Sequence, residues 1–520
     1  MRVLVTDPIA EEGIQLLRTY AHVDVQTALQ PHQLAAIVDG YDALIVRSQT
    51  RVGADVIGSG ERLRAIGRVG VGTDNIDVDA ATRKGIVVIN APTGNVVSTA
   101  EHTMALMLAL ARNVPQANSR LKSGKWQRED MVGTELRNKT LGIIGIGKIG
   151  SEVAERARAF EMHIMAHDPF ISEDHARNLE VDLVPLDRLL READFITLHV
   201  PLTPATEKLI GHKELDEVKP TARIINCARG GLVDEEAVIG AIKAGKLAGA
   251  AFDVFTREPV TDSPLFEDDR IIVTPHLGAS TAEAQANMAI DIAEEVRAVL
   301  QGRFSRYAVN APHIATELLP FITAATTIGN LASQLMEGQM ISTHIKYSGG
   351  VANYDCNPIK AAVISGLLQQ ASEERINMVN VGFIAAQRGL KISEEKELDC
   401  QHYPSLLTLE VNTTAGKTTI SGTVRHGEIQ IVQVNDFWVD MVPAGGHFLF
   451  CDHLDQTGLV GTIGNITAKA SIDISSMHLK RVRPGGKALM IVGLSQPLGD
   501  EQLQEILALP TIYGAKAVKL

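Results

Sequence analysis

Three residues near the middle of the chain are of types that together could take a proton from a bound hydroxy acid. Arg229 stands in NCARGG, Glu258 in FTREP and His276 in PHLGAST. A histidine titrates near neutrality and can accept a hydroxyl proton as a hydride leaves the same carbon. A carboxylate beside it would fix the tautomer and stabilise the imidazolium that forms. A guanidinium, always charged, can grip a carboxylate and the hydroxyl oxygen. Taken singly, each has a plain structural reading: a half-buried polar ring, a turn-forming arginine, a solvated loop acid. Their positions join them, because each follows an apolar run, ARIINCA, LAGAAFDVF or RIIVTP. In doubly wound sheets ligands sit beyond the carboxyl ends of the strands, so the three can converge on one cleft.

A second chemical signal precedes them. GIIGIGKIG places Gly145, Gly147 and Gly150 in G-x-G-x-x-G spacing between a β-branched run and the helical stretch SEVAERARAF. Gly145 permits the tight turn, Gly147 lets backbone approach a pyrophosphate, and Gly150 allows close helix packing. The helix N-terminus then offers unpaired N–H groups to the phosphates. Asp168, after the next strand MHIMAHD, can accept from both ribose hydroxyls and would repel a 2′-phosphate, which favours NAD over NADP.

In the elements that must position these residues, short β-branched runs alternate with amphipathic stretches. RVLVT, HVDVQT, DALIVRS, LRAIGRVG and GIVVINA read as strands of a first parallel sheet. KTLGIIGIG begins a second series, which ends with RIIVTPH. A helix over 97–112 crosses between the two, and another is expected over 281–300. After about residue 315 the pattern changes to helix, the strand ISTHIKYSG, a helical pair over 358–389, and an antiparallel meander from LLTLEV to MVP. From His447 the order βαββαβ is ferredoxin-like.

The string GIIGIGKIG, HDP, NCARGGLVDE, AAFDVFTREP and TPHLGAST resembles the D-2-hydroxyacid dehydrogenase family, in which Arg, Glu and His fall in this order. The resemblance implies an α/β protein with two doubly wound parallel-sheet domains, followed by an α+β intervening domain and a ferredoxin-like ACT domain. The expected divisions are a discontinuous substrate-binding domain (1–98 and 286–315), a Rossmann NAD domain (99–285), an intervening domain (316–446) and the ACT domain (447–520). It also implies Arg229, Glu258 and His276 as catalytic. Lys148, Ile149, Val200, Cys227, Ala228, Asp253, Leu277, Gly278 and Ala279 are implied as cofactor contacts beside the glycines, Asp168, Arg229 and His276.

Within that family the phosphoglycerate members are similar here, with VRS-x-T and R-x-G-x-G-x-DN. Arg47 and Arg68 suit a phosphate, and backbone amides from Gly70 to Asn75 a carboxylate. Ser48, Gly70, Val71, Gly72 and Asn95 complete the implied substrate set. The C-terminal half resembles the extra domains of the long-form phosphoglycerate dehydrogenases, whose ACT domain takes serine as effector. The usual D-x-P-G turn is here Asp455-Gln456-Thr457-Gly458, with His453 and Asp455 as polar contacts for an amino acid. That region reads equally as an oligomerisation surface. The competing readings are a glyoxylate or hydroxypyruvate reductase, a non-enzymatic NAD-sensing regulator, and an amino-acid-binding protein with an inactive dehydrogenase half.

Composition narrows the field. With 49 Lys and Arg against 62 Asp and Glu the formal charge is −13, which argues against non-specific nucleic-acid binding. Cys227, Cys356, Cys400 and Cys451 show no CxxC spacing, so no metal site is expected and a reducing cytoplasm is. MRVLVTDPIA reads as a buried strand ending in a turn rather than a signal peptide, and MALMLALA is too short to span a bilayer. The expected partners are a small phosphorylated hydroxy acid, an L-serine effector and a second copy of the chain, as dimer or tetramer.

Overall fold

A computed structural model describes residues 1–126, 128–370, 375–443 and 445–520. Five parallel strands form the first sheet, in spatial order His22–Val25, Arg2–Val5, Ala43–Val46, Ala65–Arg68 and Val87–Ile89. Their near-continuous apolar runs follow from burial on both faces. One face is closed by a segment from far along the chain, the helix Ala282–Leu300. Its Met288, Ile292 and Val296 join Val3, Val5 and Ile45 in one core. Thr281 caps that helix by accepting from the Ala284 amide.

The second sheet has seven parallel strands: Ile271–Val273, Gly249–Phe252, Arg223–Asn226, Phe195–Leu198, Thr140–Ile144, His163–His167 and Asp182–Leu183. The order reverses between Phe195–Leu198 and Thr140–Ile144, which opens a crevice at the strand ends. The strand Asp182–Leu183 is not legible in the sequence, because two residues carry no periodicity. The connecting helix Val96–Arg112 buries Thr99, Thr103, Met104 and Met107 against the second sheet. The divisions expected at 98 and 286 thus fall inside the two helices that pass between the sheets.

The third sheet is mixed rather than wholly antiparallel. Met340–Gly349 pairs antiparallel with Ser405–Thr413, and the meander continues through Lys417–Arg425, Glu428–Val434 and Phe437–Met441. Its other neighbour, Lys391–Glu397, runs parallel at the edge. That segment reads KISEEKE and shows no apolar alternation, because an edge strand is kept from foreign pairing by its charges. The helices Leu319–Leu335 and Asn357–Gln369 lie together on this sheet. They touch through reciprocal glycines: a Cβ on Gly329 would stand 2.1 Å from Val363 O, and one on Gly366 2.2 Å from Thr326 O.

The last sheet is antiparallel, in the order Ile474–Arg481, Lys487–Leu494, His447–Leu454 and Ile512–Lys519. The helices Leu459–Lys469 and Asp500–Leu507 cover one face, giving the expected βαββαβ order. On the other face Phe448, Phe450, Ile491 and Val518 enter the core of the third sheet. Among the described residues no helix is long and apolar enough to cross a membrane.

Gly366→Val should drive the two helices of the third sheet apart. Overpacking of a tight contact costs about 1–3 kcal/mol, so the denaturant midpoint of the transition reporting this sheet should fall while cofactor binding by the native enzyme is kept. An unchanged midpoint would show that the helices can separate freely.

Candidate active site

The glycine turn after Thr140–Ile144 has the shape its spacing predicts. Gly145 adopts φ +92°, and a Cβ there would lie 2.6 Å from Val200 Cγ1 and 2.7 Å from His199 O. A Cβ on Gly150 would stand 2.2 Å from Gly145 O, so only glycine lets the helix Lys148–Ala159 start this close to the strand. Gly147 faces open space and caps that helix, leaving backbone free for an approaching phosphate. Asp168 accepts from the amides of Ile146 (3.0 Å) and Phe170 (2.9 Å), which fixes its carboxylate at the lip of the turn. Lys148 is exposed there, and Ile149 and Val200 are half-buried. Cys227 is buried among apolar neighbours, which pushes its thiol up to about 12 and keeps it protonated.

At the crevice's other side, the turn after Arg223–Asn226 is pressed onto the segment after Gly249–Phe252. A Cβ on Gly230 would be 1.9 Å from Phe255 O. The Asn226 side chain donates to Arg229 O at 2.9 Å and accepts from the Ala228 amide at 3.1 Å. Glu258 Oε1 accepts from the Phe255 amide at 3.1 Å, and Oε2 lies 2.7 Å from His276 Nδ1. Burial raises the Glu258 carboxyl, but the bond and charge of His276 outweigh it and its pKa falls below the ordinary value. An ionised Glu258 accepts a hydrogen bond from Nδ1–H, which keeps the proton on Nδ1 and leaves Nε2 as the basic atom of the neutral ring.

His276 sits at φ +55° in a turn held from beneath by Asp253. That carboxylate is fully buried. Oδ1 accepts from the Leu277 amide (2.7 Å) and Thr274 Oγ1 (2.6 Å), and Oδ2 from the Gly278 amide (2.9 Å). His102 Nε2 lies 3.1 Å from Oδ1. Burial raises the Asp253 pKa, but His102, Thr274 and the Leu277 amide together pull it below the usual range. Ser98 and Thr99 donate to Gly278 O at 2.8 and 3.2 Å. Asp253, expected to contact the cofactor, has its oxygens engaged by the His276 turn instead, while Ala279 beyond it is half-buried. Sequence reasoning misses His102, Ser98 and Thr99 because their helix reads as an apolar crossing. Their only signal is the i, i+4 spacing of Ser98 and His102 on one helix face.

The first sheet delivers the remaining cations to the same cleft. Arg68 ends its strand largely buried, with Nε lacking a hydrogen-bond partner. Burial, then the nearby charge of Arg229 and more weakly that of Arg47, pull its pKa down to about 10. A Cβ on Gly72 would lie 3.4 Å from Arg229 Nη2, so the Gly70–Asn75 loop faces the arginine of the other lobe. Gly70 needs its φ of +148°, and Asn90 donates to Val71 O at 2.6 Å. Ser48 is exposed beside Arg47. Asn95 donates to Thr99 Oγ1 at 3.2 Å, and its buried Oδ1 has no partner.

His453 and Asp455 lie on the last sheet and its first turn. The His453 ring is buried with Nδ1 2.8 Å from Leu454 O and Nε2 without a partner. Asp455 pairs with Arg481 at 3.0 Å and accepts from the Gly485 amide at 3.2 Å.

Comparison with known proteins accords with this geometry. Residues 104–278 match the model of the D-isomer specific 2-hydroxyacid dehydrogenase NAD binding domain, and residues 317–435 that of the D-3-phosphoglycerate dehydrogenase intervening domain. The D-3-phosphoglycerate dehydrogenase of Synechocystis sp. is 45% identical over 100% of this chain and 95% of the relative. The chain belongs to the D-3-phosphoglycerate dehydrogenase family. The relative of the same description from Archaeoglobus fulgidus is 41% identical over 100% of both chains. Among solved structures, the TT0316 protein of Thermus thermophilus superposes with a TM-score of 0.55 at 35% identity, covering 59% of this chain and 100% of its own. Membership of this family makes the chain an NAD-dependent dehydrogenase, and the open Gly147 turn with Asp168 at its lip suits that cofactor.

Asp253→Asn should test the support beneath His276. One carboxylate oxygen becomes an N–H₂ group facing an amide or hydroxyl donor, a buried mismatch worth about 1–3 kcal/mol. A fall in kcat/KM of roughly 5- to 150-fold is expected from that range, with the chain still folded by circular dichroism. Wild-type turnover would show that the turn holds itself.

Proposed function

We propose that the chain oxidises D-3-phosphoglycerate to 3-phosphohydroxypyruvate with NAD, the first step toward L-serine. The observation that carries the substrate is the convergence of Arg47, Arg68 and Arg229 on one cleft beside the His276–Glu258 pair. Such mutually repelling cations favour a ligand with two anionic ends. NAD, when bound, supplies the hydride acceptor. The Gly145–Gly150 turn and the helix behind it hold its phosphates, and Asp168 its ribose.

The roles of the chain's own residues follow. Arg229 and the amides of the Gly70–Asn75 loop hold the substrate carboxylate, and Arg47 and Arg68 hold the phosphate. His276 Nε2 takes the hydroxyl proton as C2 loses its hydride, and ionised Glu258 stabilises the imidazolium. A homo-oligomer is supported by the helix Val114–Lys122, which has no buried residue and carries exposed Val114 and Leu121 next to Trp126 and Val132. Four unpaired cysteines suit a reducing cytoplasm. L-Serine remains the effector to test on the last sheet. His453 and Asp455 enter that test already bonded within their own domain.

Steady-state assay with D-3-phosphoglycerate, 3-phosphohydroxypyruvate, glyoxylate and D-lactate, each with and without L-serine, tests the reading. Turnover confined to the phosphorylated pair supports it, and main activity on glyoxylate would overturn the substrate. His276→Ala should lower kcat by about 10²- to 10⁴-fold, the usual worth of a general base, with NADH fluorescence titration unchanged. Equal loss of binding would make the residue structural. Asp168→Ala should weaken NAD and narrow its advantage over NADP. An unaltered NAD/NADP ratio in kcat/KM would remove Asp168 from the ribose.

A further inference from the structure

The loop that presents Arg47 is bonded on both sides by groups with no assigned role. Arg47 begins the loop after the strand Ala43–Val46, and that loop runs to Thr50. Its amides are gathered by Asp7, which is buried and accepts from Arg47 N, Thr50 N (3.2 Å) and Thr50 Oγ1 (2.6 Å). Its carbonyls are gathered by Asn75, whose Nδ2 donates to Arg47 O and Thr50 O, each at 2.6 Å. Asn75 also closes the Gly70–Asn75 loop, and its own carbonyl accepts from the Val52 amide at 2.8 Å. One primary amide therefore ties the loop bearing Arg47 to the loop whose Gly72 faces Arg229.

Two hydrogens on one nitrogen are needed to reach two carbonyls at once. Among side chains of this length only asparagine has them. Aspartate, of the same shape, would face both carbonyls with oxygens. We propose that Asn75 is the positioning residue that sets the enzyme's preference for a phosphorylated substrate, by holding the Arg47 loop in register with the carboxylate-binding loop. The proposal rests on Arg47 being the phosphate anchor. Asp7 holds the same loop through its amides but makes no bond to the Gly70–Asn75 loop, so Asn75 is the member that couples the two anion sites.

The test compares Asn75→Ala, Asn75→Asp, Arg47→Ala and the double variant N75A/R47A in the full-length enzyme. Two lost hydrogen bonds of about 0.5–1.5 kcal/mol each predict a KM for D-3-phosphoglycerate raised roughly 5- to 100-fold in N75A, with kcat changed far less. The ratio of kcat/KM for 3-phosphohydroxypyruvate to that for hydroxypyruvate should fall by a similar factor, because only the first carries the phosphate. Asn75→Asp should be at least as impaired as Asn75→Ala. R47A should add little on top of N75A, since both remove the same anchor. If R47A raises KM and N75A does not, the coupling is overturned while the role of Arg47 stands. If neither raises it, the phosphate reading of Arg47 fails and the proposal falls with it. Equal losses on both keto acids, additive effects in the double variant, or an Asn75→Asp enzyme as good as wild type would each mark Asn75 as packing and overturn the proposal.

Discussion

Asp253 carries its charge at a fully buried position, and the arrangement of the cleft depends on what surrounds it. Taking a carboxylate out of water costs several kcal/mol unless its lone pairs are met. Here two amides, a hydroxyl and the His102 ring meet them. Because those amides belong to Leu277 and Gly278, the turn that carries His276 cannot drift without exposing a buried charge. The uncommon backbone of His276 at φ +55° is held in this way, and so is the 2.7 Å approach of its ring to Glu258. His102, Ser98 and Thr99 all come from the helix Val96–Arg112. The same helix that leaves the first sheet therefore grips the His276 turn of the second.

Around that fixed turn the electrostatics are local rather than global. The chain as a whole is acidic, yet the cleft gathers three guanidinium groups, and burial together with the charges of Arg229 and Arg47 lowers the pKa of Arg68. Low-dielectric walls make such a field strong over a few ångströms while the surface stays negative. Neutral partners complete it. The His199 ring is kept uncharged by burial, which pulls its pKa down to about 4, and it adds no further cation beside the glycine turn. Arginine is suited to this placement because it stays charged even when largely buried, as Arg68 is.

Much of this was legible because the relevant signals are short-range. Gly145, Gly147 and Gly150 announce themselves by spacing, and Arg229, Glu258 and His276 by following apolar runs, so the sequence located both halves of the cleft. What escaped lies in contacts between segments far apart in the chain. Asp7, Thr50 and Asn75 are polar residues in loops until the fold brings them within hydrogen-bond distance. His102 sits in a run that reads as apolar helix, and only the proximity of Asp253 distinguishes it. KISEEKE has the composition of a solvated turn, and pairing with Met340–Gly349 makes it a strand. Periodicity reports which face is buried, whereas a buried ion pair or a mixed sheet edge is decided by the partner.

The C-terminal half is joined to itself and to the first sheet by contacts of the same long-range kind. Gln334 both donates to Lys519 O and accepts from the Lys519 amide at 2.9 Å, acting as a strand partner for the edge of the last sheet. Lys516 donates to the carbonyls of Leu335 and Met336, the end of the same helix. Farther along, Arg375 donates to Leu63 O at 3.0 Å and Asn377 to Gly85 O at 2.7 Å. Leu63 and Gly85 precede the strands Ala65–Arg68 and Val87–Ile89, so the loop before the helix Val381–Gln387 grips the first sheet at the ends opposite Arg68 and the Gly70–Asn75 turn. Packed strands transmit displacement with little loss, because close-packed interiors resist compression. One short strand, Ala65–Arg68, connects the Leu63 contact to Arg68. An effector held by the last sheet would act on the substrate site only as far as its affinity differs between two positions of these contacts.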